Sequence, residues 1–213
     1  MLWIITGTIL SYLIGSIPTA FLLGKLLKGI DIRNFGSRNV GATNAFRVLG
    51  RGPAMLVLIL DILKGFVAVF FLGNLLSCRT QLFEVDVQRI IFGISSICGH
   101  NWTIFLKFKG GKGIATTLGV LLGLSLKIAG LKYLLILTVL TWFLVFVITR
   151  IVSLSSVVAA ISLPVYSIIF PASSVLKALS VLLCCFVILR HKANLKRLIQ
   201  GKEPRLKSPK SGI

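Results

Sequence analysis

The sequence has 213 residues, of which 56% are hydrophobic, and its mean hydropathy is +0.97. A soluble domain of this size is much less apolar, so the composition favours an integral membrane protein. The formal net charge is +19, from 24 Lys and Arg against five Asp and Glu. Because the sequence has no solvated basic domain of useful size, this charge indicates loops that face anionic lipid or anionic substrates, not a nucleic-acid-binding protein.

Apolar segments of about bilayer length recur along the chain. We predict seven transmembrane helices, at residues 2–24, 53–76, 90–106, 114–130, 132–149, 151–170 and 174–190. The third and fourth are short enough to be tilted or partly re-entrant. The N-terminal segment lacks a basic stretch, which predicts a membrane-spanning helix and not a cleaved signal. The expected fold is an all-α integral membrane protein, a bundle of about seven transmembrane helices. It forms one polytopic domain (1–213) with a basic cytoplasmic tail (191–213).

The basic residues predict the orientation of this bundle. With the N-terminus outside, 18 Lys and Arg fall on the cytoplasmic side and five on the outer side, while Lys64 lies within a span. The positive-inside rule therefore favours an outside N-terminus and a cytoplasmic C-terminus. No internal repeat is evident, so the inverted-repeat signature of many transporters is missing.

Polar, glycine-rich sequence is concentrated in three segments that this topology places on the cytoplasmic side, residues 35–52, 99–117 and 191–203. The first contains GSRNVGATN, whose glycines let backbone N–H groups approach a ligand closely. Donors and cations without a nearby carboxylate suit an anion, most simply phosphate. The alternative is a solvated basic loop that attracts lipid head groups. The donors and cations are Ser37, Arg38, Asn39, Thr43, Asn44 and Arg47.

The second segment contains FKGGKG, directly before an apolar helix. A helix N-terminus carries unpaired N–H groups and a positive dipole end, so it binds anions readily. We predict that this loop holds a phosphate; the alternative is a short positive-inside loop with turn glycines. The residues concerned are Lys109, Gly110, Gly111, Lys112 and Gly113.

The third segment follows the last span. His191, Asn194 and Arg197 have helical spacing, so they are expected to share one face of a helix. His191 is a candidate donor or base near neutral pH, and the alternative is a bystander in a basic tail. Glu203 is expected to pair with a nearby cation and to fix the tail. Within the second span, Asp61 and Lys64 are three residues apart, which predicts a structural ion pair in preference to a proton relay.

These motifs resemble the bacterial membrane glycerol-3-phosphate acyltransferase family that uses acyl phosphate as its donor, the PlsY family. The similarity runs from GSIPTAFLLGK to GKEPR, and GSRNVGATN, GHNW…FKGGKGIAT and HKANLKRLIQGKE occur in order. Arg38 is a departure, since the family usually has glycine there. The His-x4-Asp dyad of soluble-type acyltransferases is missing, because Phe105 and Lys196 occupy the fifth positions after the two histidines.

The resemblance implies an inner-membrane, multi-pass enzyme with its active site on the cytoplasmic face. It would transfer an acyl group from acyl phosphate to the 1-hydroxyl of sn-glycerol 3-phosphate, forming lysophosphatidic acid in the first step of phospholipid synthesis. No cofactor, metal or nucleic acid is expected; membrane lipid and a separate enzyme that supplies acyl phosphate are expected partners. The implied catalytic residues are Ser37, Arg47, His191 and Asn194. The implied substrate-binding residues are Asn39, Thr43, Asn44, Lys109, Gly110, Gly111, Lys112, Gly113 and Ser156.

Two other classes of protein compete with this interpretation. A transporter of an organic phosphate would also use cations and glycines, but it should place them near the midplane with access from both sides. A basic scaffold that organises anionic lipid would explain the charge but not the ordered asparagines and glycines. We favour the enzyme, with a substrate phosphate oxygen in preference to His191 as the proton acceptor.

Overall fold

A computed structural model describes residues 1–76 and 82–206. The regular elements among these residues are all helical, with no strand in the described ranges. Short 3-10 segments occur at Ile32–Asn34 and Ile104–Leu106, and a π-helical segment at Ala68–Leu72. The α-helices are α1 (Leu2–Ser16), α2 (Thr19–Lys28), α3 (Ala42–Val48), α4 (Arg51–Val67), α5 (Gly73–Leu76), α6 (Val85–Asn101), α7 (Ile114–Ser125), α8 (Leu131–Thr149), α9 (Val152–Ile169), α10 (Ser174–Arg190) and α11 (Lys192–Ile199).

The apolar helices follow the predicted spans closely in sequence. Four segments are long and apolar enough to cross a membrane, and α10 with α11 makes a fifth if this pair, bent by 66°, is one span. Helix α7 is apolar but has only 12 residues. Seven crossings and the orientation of the termini therefore stay predictions. The four segments are Leu2–Lys28, Arg51–Leu76, Leu131–Thr149 and Val152–Ile169.

The first and second predicted spans are each interrupted within their length. The first is divided into α1 and α2 at Ile17–Pro18, where proline lacks the N–H that a continuous helix would use. Helix α2 then ends at Gly29, whose φ of +68° is the left-handed conformation typical of a helix C-terminus. The second span passes from α4 through the π-helical segment into α5. The first break brings Thr19 to the start of α2, beside α4.

Glycines allow close approach of the helices that carry the second motif. A Cβ on Gly15 of α1 would overlap the carbonyl of Ser96 in α6, and one on Gly65 of α4 would overlap the carbonyl of Thr116 in α7. Small residues at such crossings are typical of helix packing in membranes. The end of α6 and the start of α7 are thus held directly against α1 and α4.

The chain divides into two compact units, and we describe each by itself. The first, Met1–Leu124, contains α1 to α6 and nearly all of α7. The second begins at Ser125 and contains α8 to α11, in which α9 packs against both α8 and α10. Ser167 and Ser180 place their hydroxyls 3.1 Å apart between α9 and α10. The expected single domain over 1–213 stays a prediction.

Candidate active site

Asn44 organises the loop of the first motif. Its side chain is fully buried, and its Oδ1 accepts the backbone N–H of Ser37 at 2.8 Å. Its Nδ2 donates to the carbonyls of Ile32 and Phe35, at 3.2 and 3.1 Å. The amide of Asn44 thus holds the loop in shape before α3, and a contact with substrate stays a prediction.

Other predicted residues of this motif lie around the same loop. Ser37 is an exposed residue of this loop, and Asn39 is half-buried next to Gly41. Thr43 and Arg47 are half-buried on α3, whose first turn begins at Ala42. The loop therefore gathers hydroxyl, amide and guanidinium groups within a short stretch of the first unit, as an anion-binding loop requires.

The backbone of this loop is left-handed at two positions. Gly36 has φ +57° and Arg38 has φ +60°. The first is favourable for glycine, whereas an arginine there carries the steric cost of a Cβ in the left-handed region. The side chain of Arg38 is exposed. The family's glycine at this position would adopt the same backbone without strain.

The second motif forms a turn that lies on the C-terminal end of α6. The N–H of Gly111 donates to the carbonyl of His100 at 3.0 Å, and the N–H of Gly110 donates to that of Asn101 at 3.2 Å. A Cβ on Gly110 would overlap the His100 carbonyl, and a Cβ on Gly111 would overlap the His100 ring. Both positions therefore require glycine, and both N–H groups bind α6 in this structure.

The turn then leads directly into α7. Gly113 has φ +79°, and its carbonyl accepts the N–H of Thr117 at 2.7 Å. Lys109 is exposed and Lys112 is half-buried just before the first turn. The first N–H groups of a helix have no acceptor within it, so the start of α7 with these two lysines is suited to an anion.

Asn101, the last residue of α6, was not predicted as a site residue. It is fully buried, and neither polar atom of its side chain has a hydrogen-bond partner in the described structure. A Cβ on Gly113 would lie 2.7 Å from its Oδ1. An unpaired buried amide costs about 1–3 kcal/mol.

The predicted pair of Asp61 and Lys64 is confirmed. Lys64 Nζ lies 2.8 Å from Asp61 Oδ1, and the two side chains are 6% and 2% exposed, respectively. The hydroxyl of Thr19 also donates to Asp61 Oδ1 at 2.7 Å, and Lys64 donates to the carbonyl of Ile17 at 3.2 Å. The charges are thus satisfied locally, as a buried ion pair requires.

The third motif is organised by Glu203. Its Oε1 accepts from Ser153 Oγ at 2.7 Å and from Asn194 Nδ2 at 2.5 Å, and its Oε2 accepts from Arg197 Nε at 2.7 Å. The expected pairing of Glu203 with a tail cation is confirmed. Burial opposes the charged carboxylate, but these three hydrogen bonds hold the pKa of Glu203 below its ordinary value. Glu203 therefore connects α11 to the start of α9.

His191 is buried at the junction of α10 and α11. Its Nδ1 lies 2.8 Å from the carbonyl of Val187, and because a carbonyl only accepts, Nδ1 carries the proton. Any proton that His191 gives or takes in a reaction therefore passes through Nε2. Ser156 donates to the carbonyl of Val152 at 2.8 Å and accepts from Trp142 Nε1 at 3.2 Å, so its hydroxyl is already used within the second unit.

Comparison with known proteins decides the family. A family model described as glycerol-3-phosphate acyltransferase matches residues 5–201. The chain belongs to the glycerol-3-phosphate acyltransferase family. Proteins of that name from Staphylococcus aureus strains Newman and JH9 are each 42% identical to it over 205 residues, which cover 96% of this chain and 98% of theirs. The sequence resemblance is thereby confirmed, and the chain is an acyltransferase.

Solved structures extend this assignment to the fold. The chain is similar to two crystal structures of PlsY, an integral membrane glycerol 3-phosphate acyltransferase. The glycerol 3-phosphate form aligns with a TM-score of 0.83 and 34% identity, and the lysophosphatidic acid form with 0.80 and 33%. Each alignment covers 96% of both chains. The apolar helices found here thus belong to an all-helical integral membrane acyltransferase.

Proposed function

We propose that this acyltransferase moves a fatty acyl group from acyl phosphate to the 1-hydroxyl of sn-glycerol 3-phosphate, forming lysophosphatidic acid. The observation that carries the proposal is the glycine turn, with Lys109 and Lys112, directly before the N-terminus of α7. Family membership supports glycerol 3-phosphate as the acceptor, and the solved lysophosphatidic acid form of PlsY supports the product. The reaction would begin phospholipid synthesis at the cytoplasmic face of the bacterial inner membrane.

Acyl phosphate suits the residues that the motifs contain. It is already activated, because phosphate is a good leaving group, so the protein needs mainly to position the glycerol hydroxyl and to stabilise developing negative charge. Lys112 and the start of α7 provide cationic and dipolar groups for a substrate phosphate, and Ser37 and Arg47 provide donors in the first motif. A separate enzyme that makes acyl phosphate would supply the donor.

The proton of the attacking hydroxyl needs an acceptor, and we assign it to a phosphate oxygen of the substrate. The glycerol oxygen forms an ester bond to the acyl carbon, the acyl–phosphate bond breaks, and inorganic phosphate leaves with the electron pair. His191 then acts as a donor through Nε2, which requires the protonated ring, because Nδ1 is bonded to Val187. Asn194, three residues after His191, donates a hydrogen bond to Glu203.

The donor can be tested with purified protein in detergent. Glycerol 3-phosphate is supplied with either acyl phosphate or acyl-CoA, and lipid products are measured by mass spectrometry. We expect lysophosphatidic acid with acyl phosphate only. Lysophosphatidic acid formed from acyl-CoA and not from acyl phosphate would refute acyl phosphate as the donor. Uptake of glycerol 3-phosphate into vesicles without acylation would favour the transporter.

Lys112 provides a second test. Lys112→Ala should lower kcat/KM for glycerol 3-phosphate about tenfold to a hundredfold, since a charge-assisted hydrogen bond contributes about 1.5–3 kcal/mol. The matched control is Lys177→Ala, an exposed lysine at the start of α10. Equal kinetics for the two variants would show that Lys112 only sets membrane topology.

A further inference from the structure

His100 lies between the buried ion pair and the glycine turn, both within the first unit. Its Nδ1 is 3.6 Å from Asp61 Oδ1, and its side chain is 7% exposed. The same Asp61 oxygen faces Lys64 and Thr19. Side chains from three helices, α2, α4 and α6, thus meet at the carboxylate of Asp61. Of these side chains, His100 is the one that contacts the glycine turn.

The ring also defines where the turn lies. Gly111 is so close to His100 Nε2 that a Cβ there would overlap the ring, and its N–H donates to the His100 carbonyl at 3.0 Å. The same Cβ would also lie 2.8 Å from the carbonyl of Val40, in the first motif. The backbone at Gly111 is therefore in close contact with both the imidazole and the first loop.

A small pocket of about 10 Å³ lies among these groups. Its lining includes Asp61, Lys64 and His100 together with Gly110 and Gly111. The proposed mechanism uses the turn but none of the three charged or titratable side chains beneath it. A buried ion pair is often neutral or unfavourable for stability relative to apolar residues of the same volume, so stability alone is a weak reason for this arrangement.

We propose that His100 is a positioning residue: Asp61 holds its imidazole beneath Gly111, and the ring keeps the glycine turn in the conformation that binds the phosphate of glycerol 3-phosphate. This inference rests on the proposed function, because it takes the turn as the site of that phosphate. His100 acts through the backbone of the turn and does not touch the substrate. A displaced turn would hold the phosphate less tightly, so the loss should be found mainly in the affinity for glycerol 3-phosphate.

The proposal predicts a loss of affinity that conservative substitution partly restores. His100→Ala should weaken glycerol 3-phosphate binding about tenfold, and its KM should rise by a similar factor while kcat changes less. His100→Gln should retain more affinity, because its side chain is long enough to reach the space beneath Gly111. Isothermal titration with glycerol 3-phosphate, and steady-state kinetics with acyl phosphate, measure both quantities.

A double-mutant cycle tests the contact itself. Gly111→Ala should weaken binding strongly in the wild-type background, because the new methyl group meets the His100 ring. In the His100→Ala background the same change should cost less, since the ring is gone and the contact of that Cβ with the Val40 carbonyl remains. Additive effects of the two substitutions would overturn the proposal.

Ser95→Ala is the matched control for α6, because it removes a 2.7 Å hydrogen bond to the carbonyl of Thr8 without contact to the turn. It should lower the melting temperature and leave affinity unchanged. If His100→Ala behaves in the same way, His100 is only structural and the proposal fails. Wild-type protein that binds glycerol 3-phosphate but transfers nothing from acyl phosphate would refute the proposed donor. In that case the titrations with glycerol 3-phosphate would still decide the role of His100.

Discussion

At the scale of single residues, Arg38 is one of four non-glycine residues with positive φ in the described ranges, and it is the one within the first motif. Its φ of +60° places a Cβ in the left-handed region, which costs about 1–2 kcal/mol. Arg38→Gly should therefore raise the melting temperature. If the guanidinium also attracts an anionic substrate, the KM for glycerol 3-phosphate will rise in the same variant. Differential scanning fluorimetry in detergent and steady-state kinetics measure the two effects.

Gly36→Ala is a control in the same loop, and its expected effect on stability is the opposite of that of Arg38→Gly. Gly36 also has positive φ, and a Cβ there would overlap Asn44 Oδ1, so this variant should be less stable than wild type. An Arg38→Gly variant that melts at or below the wild-type temperature would contradict the strain argument.

His191 allows the proton acceptor to be identified. If the substrate phosphate accepts the proton, His191→Gln should retain clearly more activity than His191→Ala, because the glutamine amide still donates a hydrogen bond. Because donation through Nε2 requires the protonated ring, the glutamine variant should lose the alkaline decline in rate that follows deprotonation of His191, and it should keep the pH dependence that belongs to the substrate phosphate. The measurement is kcat/KM against pH with saturating acyl phosphate.

The opposite outcome for His191 is equally specific. Loss of a general base typically removes about 100-fold to 10,000-fold in rate, and neither glutamine nor alanine exchanges a proton near neutral pH. Equal, near-complete loss in both variants, with normal folding, would assign the proton to Nε2 of His191.

For single residues, the sequence indicated which side chains belong to a motif better than it indicated the partners that these side chains contact. The pattern GSRNVGATN indicated an anion-binding loop, but Asn44 uses its amide within the loop, because a buried amide bonds to the nearest backbone groups. His100 was not joined to Asp61, since no periodicity relates positions on two different helices. The spacing of Asp61 and Lys64, in contrast, was sufficient to predict their pair.

At the scale of elements, the junction of α9 and α11 depends on Glu203. Its side chain is 6% exposed and accepts hydrogen bonds from Ser153, Asn194 and Arg197. Glu203→Gln should lower the melting temperature. Arg197 loses an anionic partner, and one of the two accepting oxygens is replaced by an NH2 group, which cannot accept a hydrogen bond. Hydrogen bonds to charged groups contribute about 1.5–3 kcal/mol when buried, and the partly exposed Arg197 places this contact at the lower end.

The pH dependence of this contact has a definite sign. Because the pKa of folded Glu203 lies below its ordinary value, the charged form is favoured by folding. The resulting stability is fully present above the ordinary glutamate pKa, about 4.3, and is lost as pH falls through the lower folded pKa. The difference in melting temperature between wild type and Glu203→Gln should therefore shrink on acidification in that window. Glu84→Gln, an exposed carboxylate before α6, is the control, and an equal effect of both variants would contradict the argument.

Hydropathy located the helices but not their interruptions. The break at Ile17–Pro18 and the π-helical segment lie within apolar sequence, where mean hydropathy is insensitive to backbone geometry. Proline at position 18 was visible in the sequence, but many membrane helices tolerate proline when neighbours satisfy the backbone, as Pro164 within α9 illustrates.

At the scale of the whole molecule, hydropathy predicted a membrane protein and the distribution of charge predicted its orientation, whereas the motifs indicated the family. The excess of 24 Lys and Arg over five Asp and Glu says little about a helical fold, but the uneven distribution of the basic residues between the predicted loops predicts the sidedness of a membrane protein. The number of crossings is harder to fix, because the 17-residue α6 and the 12-residue α7 are shorter than a perpendicular span of about 20 residues.

Membrane sidedness can be measured by labelling single cysteines on a background without Cys78, Cys98, Cys184 and Cys185. Lys109 and Lys192 are exposed neighbours of Lys112 and His191, and the positive-inside rule places both on the cytoplasmic side. Arg79, which lies outside the described residues, and Lys177 are predicted to be external. An impermeant maleimide added to intact spheroplasts should label Arg79→Cys and Lys177→Cys, whereas Lys109→Cys and Lys192→Cys should react only after permeabilisation. Labelling of Lys109→Cys from outside would refute a cytoplasmic phosphate site.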